Sequence, residues 1–75
     1  MGRNNLEVYS LRFCHNKLVD LRLLSGFTQA ELAEELDVSL RTYQNWEYGI
    51  NVPSQKNLRK IEKFFNTSFT FRSII

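Results

Sequence analysis

Residues Ser39–Gly49 read SLRTYQNWEYG. Ser39 is a residue type that starts helices and Gly49 one that stops them. Between them Arg41, Gln44, Asn45 and Tyr48 recur at i, i+3, i+4 and i+7, which is one face of a helix. Tyr43 and Trp46 fall on the opposite face. A short helix that hides two large aromatics and turns four polar side chains outward needs a core on one side. On the other it has donors and acceptors to spare.

The flanking residues supply that core. Upstream, Thr28 followed three residues later by Glu31 is a capping box, and Phe27 with Leu32 can form the hydrophobic staple beside it. This predicts a helix over 28–36, with Leu32, Ala33 and Leu36 inward and Glu31, Glu34 and Glu35 in water. Asp37 and Val38 make a very short connection, and Val38 with Tyr43 repeats the staple. Downstream, Ile50, Asn51, Val52 and Pro53 form a loop. Ser54 can cap a further helix, with Leu58, Ile61 and Phe65 on one face, until Asn66, Thr67 and Ser68 break it.

The ends read less clearly. Cys14, Leu18, Leu21 and Ser25 form a helical stripe, which predicts a first helix from about Leu11 to Leu24. Ser10 is its candidate N-cap, and Gly26 suits the left-handed position after it. Against this, Tyr9, Leu11 and Phe13 alternate as a strand does. The tail is equally divided. Phe69 and Phe71 alternate, whereas Phe71, Ile74 and Ile75 have helical spacing. An end this apolar needs something to dock on.

With 75 residues the chain has room for one domain with a modest core. Hydrophobic content of 43% and charged content of 24% are those of a soluble globular protein. No apolar run approaches the roughly 20 residues that span a membrane. The start, MGRNNLEVYS, lacks the apolar core of a secretory signal, and Leu6 stands where a myristoylation motif wants Ser or Thr. A cytoplasmic location is the expectation. Cys14 is the one cysteine. It can form no internal disulfide and, with only His15 beside it, no zinc site, so a buried structural thiol is expected. Neither a metal nor a cofactor is expected. No catalytic pairing of His, Ser and carboxylates is visible and no phosphate-binding glycine loop, so an enzyme is the least favoured class.

Net charge is +2, a weak lean toward polyanions. Its distribution says more. Residues 28–38 hold Glu31, Glu34, Glu35 and Asp37 with no base, whereas 52–75 hold Lys56, Arg59, Lys60, Lys63 and Arg72 against Glu62. His15 reads as a surface histidine near a helix start.

Helix 28–36, a tight turn and helix 40–48 have helix-turn-helix spacing. Ala33 is small enough to let the two helices cross closely, and Tyr43 and Trp46 can fill the angle between them. The outward polar face of helix 40–48 is what a reader of the DNA major groove needs. Together, LVDLR (18–22), GFTQAELAEEL (26–36), VSLRTYQNWEYG (38–49) and the Pro53, Leu58 and Ile61 spacing resemble the helix-turn-helix family of the phage Cro and lambda-type repressors. The resemblance covers about residues 14–66.

It implies an all-α fold: a compact bundle of four to five helices containing a helix-turn-helix, with short terminal strands left open by the alternating ends. It implies one DNA-binding domain over 1–75, with the helix-turn-helix at 28–48. By position, Ser39, Leu40, Arg41, Gln44 and Asn45 are the expected base readers. Arg41 suits guanine, and Asn45 or Gln44 suits adenine. Thr28, Gln29, Tyr48, Asn51, Ser54, Gln55 and Lys56 are expected at phosphates, and Arg22 with Glu47 as an ion pair tying helix 1 to helix 3. Leu40 departs from the polar residue frequent at its place and can read only a thymine methyl or pack on sugar. Asp37 replaces the usual turn glycine, at some cost. Arg72 and Ser73 stand where a fifth helix would carry aliphatics, which puts the family's dimer interface in doubt.

The expected function is sequence-specific binding of double-stranded DNA by a small transcriptional regulator, a repressor or Cro-like switch of bacterial or phage origin. The partner is a palindromic operator bound by a homodimer. The tail, 67–75, with Phe69, Phe71, Ile74 and Ile75, is the candidate interface, pairing with residues 6–13 as strands. Two rivals stand beside this reading. One is the antitoxin of a toxin–antitoxin pair, which adds a toxin partner. The other is a protein-interaction module that does not read DNA.

Overall fold

The computed structural model describes the backbone of residues 9–74 and the side chains of 13–70. Six elements follow in order: β1 (Tyr9–Phe13), α1 (His15–Ser25), α2 (Gln29–Glu35), α3 (Leu40–Glu47), α4 (Gln55–Phe65) and β2 (Thr70–Ile74). The chain is a helical bundle containing a helix-turn-helix. Its one addition is a two-stranded antiparallel ribbon of β1 and β2, in which Tyr9 faces Ile74 and Phe13 faces Thr70.

Local chemistry fixes the helix boundaries. Gly26, at φ 80°, ends α1 and donates to the carbonyls of Arg22 and Leu23. Thr28 and Glu31 form both halves of the capping box that opens α2. After α2, Asp37 adopts φ 58°, and the Asp37 and Val38 N–H groups donate to the carbonyls of Glu34 and Ala33. A left-handed residue is what this closure requires, and Asp is among the side chains that tolerate it. Ser39 and Ser54 cap α3 and α4 by accepting from the N–H groups of Thr42 and Asn57.

The core is Leu18, Leu32, Ala33, Leu36, Tyr43, Trp46, Ile61 and Phe69, with Phe13, Leu21, Phe27, Val38, Leu58 and Phe65 packed against it. Tyr43 and Trp46 meet edge to face at 6.0 Å, in the angle that the short turn creates. Ala33 is 2% exposed, so a larger side chain there would push α2 off α3.

The N-terminal side of the chain differs from the helix expected at Leu11–Leu24. A strand runs through Phe13, and α1 begins at His15 with Cys14, not Ser10, at its N-cap. Long-range pairing overrides the local stripe here. The Cys14 N–H donates to the Phe69 carbonyl at 2.6 Å, and the Phe13 ring stacks on that of Phe69 at 6.0 Å. Cys14 is a free thiol, only partly buried, and so less enclosed than expected.

The turn after α4 brings the tail back to that contact. Asn66 takes the left-handed conformation at φ 55°, and Glu62 accepts from the Phe69 N–H at 2.9 Å. Lys17 donates to Thr67 Oγ1 and to the Ser68 carbonyl. Phe69 is thereby 1% exposed, against Phe65 as well as Phe13. This corrects its assignment to a dimer interface, because its ring is used up in the chain's own core. Phe71 and Ile74 lie on β2, and Ile75 lies outside the described residues.

Candidate nucleic-acid interface

α3 has eight residues, too few to be stable alone, so its orientation comes from what lies beneath it. Glu47 lies on its inner side, with 2% of its side chain exposed. Arg22 of α1 grips both its oxygens, Nε donating to Oε2 at 2.6 Å and Nη2 to Oε1 at 3.3 Å. The same guanidinium donates to the Phe27 carbonyl at 3.0 Å, so it ties α3 to the α1–α2 junction. Tyr43 donates its hydroxyl to Oε2 and Gln29 its amide to Oε1.

The charges follow from these bonds. Burial opposes ionisation of Glu47, but the donors Arg22, Tyr43 and Gln29 together outweigh it and hold the carboxyl below its usual range. The hydrogen bond to Glu47 raises Arg22 against the pull of desolvation. Burial, and then the bond to Glu47, pushes the Tyr43 phenol far up, so it stays a donor.

His15 adds a second tie. Its Nδ1 lies 3.2 Å from the Glu47 carbonyl, and its ring lies alongside Gly49, where a Cβ would meet it at ordinary contact distance. It is therefore a packing residue under the end of α3, not the surface histidine expected. Gly49 takes φ 75°, a left-handed backbone that favours glycine.

The outer face carries the expected readers in different states. Arg41 is exposed and makes no hydrogen bond among the described residues. Asn45 is half-buried, and its carbonyl accepts from Ile50 and Asn51, which folds the following loop against α3. Leu40 is 42% exposed. The Ser39 hydroxyl is committed to Thr42, accepting from its N–H and donating to its Oγ1. The Gln44 amide donates to Gln29 Oε1 at 3.0 Å.

The expected phosphate positions also divide. Tyr48 is 59% exposed. Asn51, Ser54, Gln55 and Lys56 are exposed along the loop and the start of α4. The Ser54 hydroxyl serves as cap, and Gln55 Oε1 accepts from Arg59. Thr28 is spent on the capping box, with its N–H on Glu31 and its hydroxyl accepting from that residue's N–H. Gln29 is drawn inward, its amide nitrogen donating to Glu47 and to Tyr48. Lys60 donates to the Leu36 carbonyl and closes α2.

The links from Glu47 through Gln29 to Gln44 and Tyr48 were not visible in the sequence, because glutamines on two helices carry no pairing signal. Among the described residues no cluster of His, Cys, Asp and Glu could hold a metal ion, and no helix is long and apolar enough to cross a membrane.

Comparison with known proteins agrees with this geometry. A family model described as helix-turn-helix matches residues 18–71, from within α1 into β2. The HTH-type transcriptional activator BcrR of Enterococcus faecalis is 39% identical over 54 residues, which are 72% of this chain and 26% of that protein. The chain thus spans about a quarter of that relative's length. No solved structure matches.

Proposed function

Because the chain belongs to the helix-turn-helix family, we propose that it is a non-enzymatic, DNA-binding regulator of transcription that reads the major groove with α3. The observation that carries this reading is the exposed Arg41 on a two-turn helix whose hidden side is clamped by the Arg22–Glu47 pair. A free guanidinium on a fixed helix can meet guanine O6 and N7 with two donors. Asn45 is placed one turn further on the same face, and Leu40 can cover a thymine methyl. Tyr48, Asn51, Gln55 and Lys56 border this face and are assigned to phosphates. Lys56 supplies positive charge there.

One such helix reads about half a site, so specific affinity calls for a homodimer on a palindrome with half-sites about one helical turn apart. The ribbon of β1 and β2 is the proposed contact between copies, through its open strand edges. Repression, by occupying a promoter in the manner of a Cro-like switch, needs no surface beyond the reading face. The site of action is the cytoplasm.

The test is selection of duplexes from a random pool by the purified chain at about 150 mM salt, near physiological strength. An inverted repeat should emerge, and Arg41→Ala should weaken its enrichment and relax preference at one base pair of each half-site. Binding that is only bulk and salt-sensitive would reject specific reading by this chain alone, and would favour a protein-interaction module.

A further inference from the structure

Gln29 occupies the first turn of α2, yet its side chain faces α3. Glu47 is the fixed point of the arrangement. It is buried and ionised, and a carboxylate only accepts, so the amide group of Gln29 that meets Oε1 at 2.9 Å has to be the NH2. The second hydrogen of that nitrogen is directed at Tyr48 Oη, 3.4 Å away. Both donors of Gln29 are thereby spent inside the protein. Its Oε1 accepts from Gln44 Nε2 at 3.0 Å.

Two consequences follow at the surface. Gln44 is left with one free N–H and its Oε1, the donor–acceptor pair that matches the N7 and N6 edge of adenine. Tyr48 Oη already accepts a hydrogen, so its own proton is free to donate, as a phosphate oxygen requires.

We propose that Gln29 is a positioning residue: it carries the acceptor-only character of buried Glu47 out to the reading face, fixing the amide of Gln44 and the hydroxyl of Tyr48. Gln29 itself holds no phosphate. The inference rests on the DNA-reading proposal for its consequence but not for the relay, which exists in the free protein.

The decisive variant is Gln29→Met, which keeps the bulk and removes every polar atom. Glu47 retains its bonds from Arg22 and Tyr43, so the fold survives and the thermal midpoint serves as the check. On the selected duplex, Gln29→Met should weaken binding by about five- to thirtyfold, the worth of one or two hydrogen bonds. It should also relax preference at the base pair read by Gln44. In a Gln44→Ala, Tyr48→Phe background the same change should cost less than about twofold, because the groups it acts through are gone. An undiminished loss in that background would overturn the proposal and make Gln29 a direct DNA contact. No loss in either background would overturn it as well.

If the wild-type chain selects no duplex, the DNA reading has failed, and side-chain amide NMR of the full free chain judges the relay. The Gln29 NH2 pair should exchange slowly and shift on Tyr48→Phe and on Gln44→Ala, while that of exposed Gln55 stays put. A fast-exchanging, unresponsive Gln29 pair would sink the relay whatever the DNA result.

Discussion

Replacing Glu47 by Gln is the most informative single change. The side chain keeps its shape and loses its charge. Arg22, with 12% of its side chain exposed, is left without a counter-ion. Three donors, from Arg22, Tyr43 and Gln29, then compete for one amide oxygen. Removing one partner of a buried pair costs about 3–5 kcal/mol, most of it the stranded charge. At about 0.05–0.15 kcal/mol per residue, 75 residues are stable by roughly 4–11 kcal/mol. The loss is thus about a quarter or more of the total and should lower the melting midpoint by at least about 12 °C.

Urea titration measures it as a fall in midpoint at unchanged slope. The triple change Arg22→Met, Tyr43→Phe, Glu47→Leu removes the charges and the orphaned hydroxyl together, and should return to within about 1–2 kcal/mol of wild type. A loss below about 1 kcal/mol for Glu47→Gln would refute the reasoning, since the pair would then be behaving as a solvent-screened surface bridge. A triple variant as unstable as the single one would refute it differently, by tracing the loss to packing.

The same pair sets an acid limb. The folded carboxyl of Glu47 lies below its unfolded value of 4.5. A depressed acid stabilises the fold fully above the unfolded value and loses that contribution as pH falls through the folded one. The wild-type advantage over Glu47→Gln should therefore be flat near neutrality and shrink below about pH 4.5.

Three further outcomes are expected. Phe69→Ala should cost about 3–5 kcal/mol, read by thermal melting, because the ring is enclosed by Phe13 and Phe65 and crossed by Lys17; a surface-like loss under about 0.5 kcal/mol would return Phe69 to the interface. Asp37→Gly should raise stability by about 0.5–1 kcal/mol by relieving a φ of 58°, whereas Asp37→Val should lower it, as urea midpoints will tell. Arg41→Ala should leave the melting midpoint unchanged and cost about 1–3 kcal/mol of discrimination at one base pair, measured by competition between selected and substituted duplexes.

The parts of the fold that were legible are those written in neighbouring residues. Thr28 and Glu31 are three apart and satisfy each other's backbone, so the start of α2 could be read directly, as could the caps at Ser39 and Ser54. Tyr43 and Trp46 declared the inner face of α3 by spacing alone. What could not be read depends on residues far apart in the chain. Tyr9, Leu11 and Phe13 offered a strand period and Cys14, Leu18 and Leu21 a helix period, and the contest over 9–13 was decided by Phe69. Gln29 sat at a position suited to an anion, and only the fold shows that Glu47 claims it first. His15 looked solvent-exposed, and only the fold sets its Nδ1 against the Glu47 carbonyl.

Two of these long-range contacts, those of Gln29 and His15, are made to Glu47 on the inner side of α3. An eight-residue helix has at most a few internal hydrogen bonds and frays at both ends, so it cannot aim side chains by its own stiffness. Apolar packing on Tyr43 and Trp46 fixes its distance from α1 and α2, but dispersion is tolerant of small rotations. Directional bonds are not. Arg22 fixes Glu47 with two of them, Phe27 fixes Arg22, and His15 meets the last carbonyl of the helix. A buried ion pair adds little net stability over an apolar replacement. Its value here is angular: it converts a short helix into a rigid one at the end where Tyr48 leaves for the surface. The triple apolar variant separates these two roles. It should melt almost as wild type does and yet enrich operators poorly, because its recognition helix is packed but no longer held in one orientation. Wild-type enrichment by a stable triple variant would mean that packing alone aims the helix.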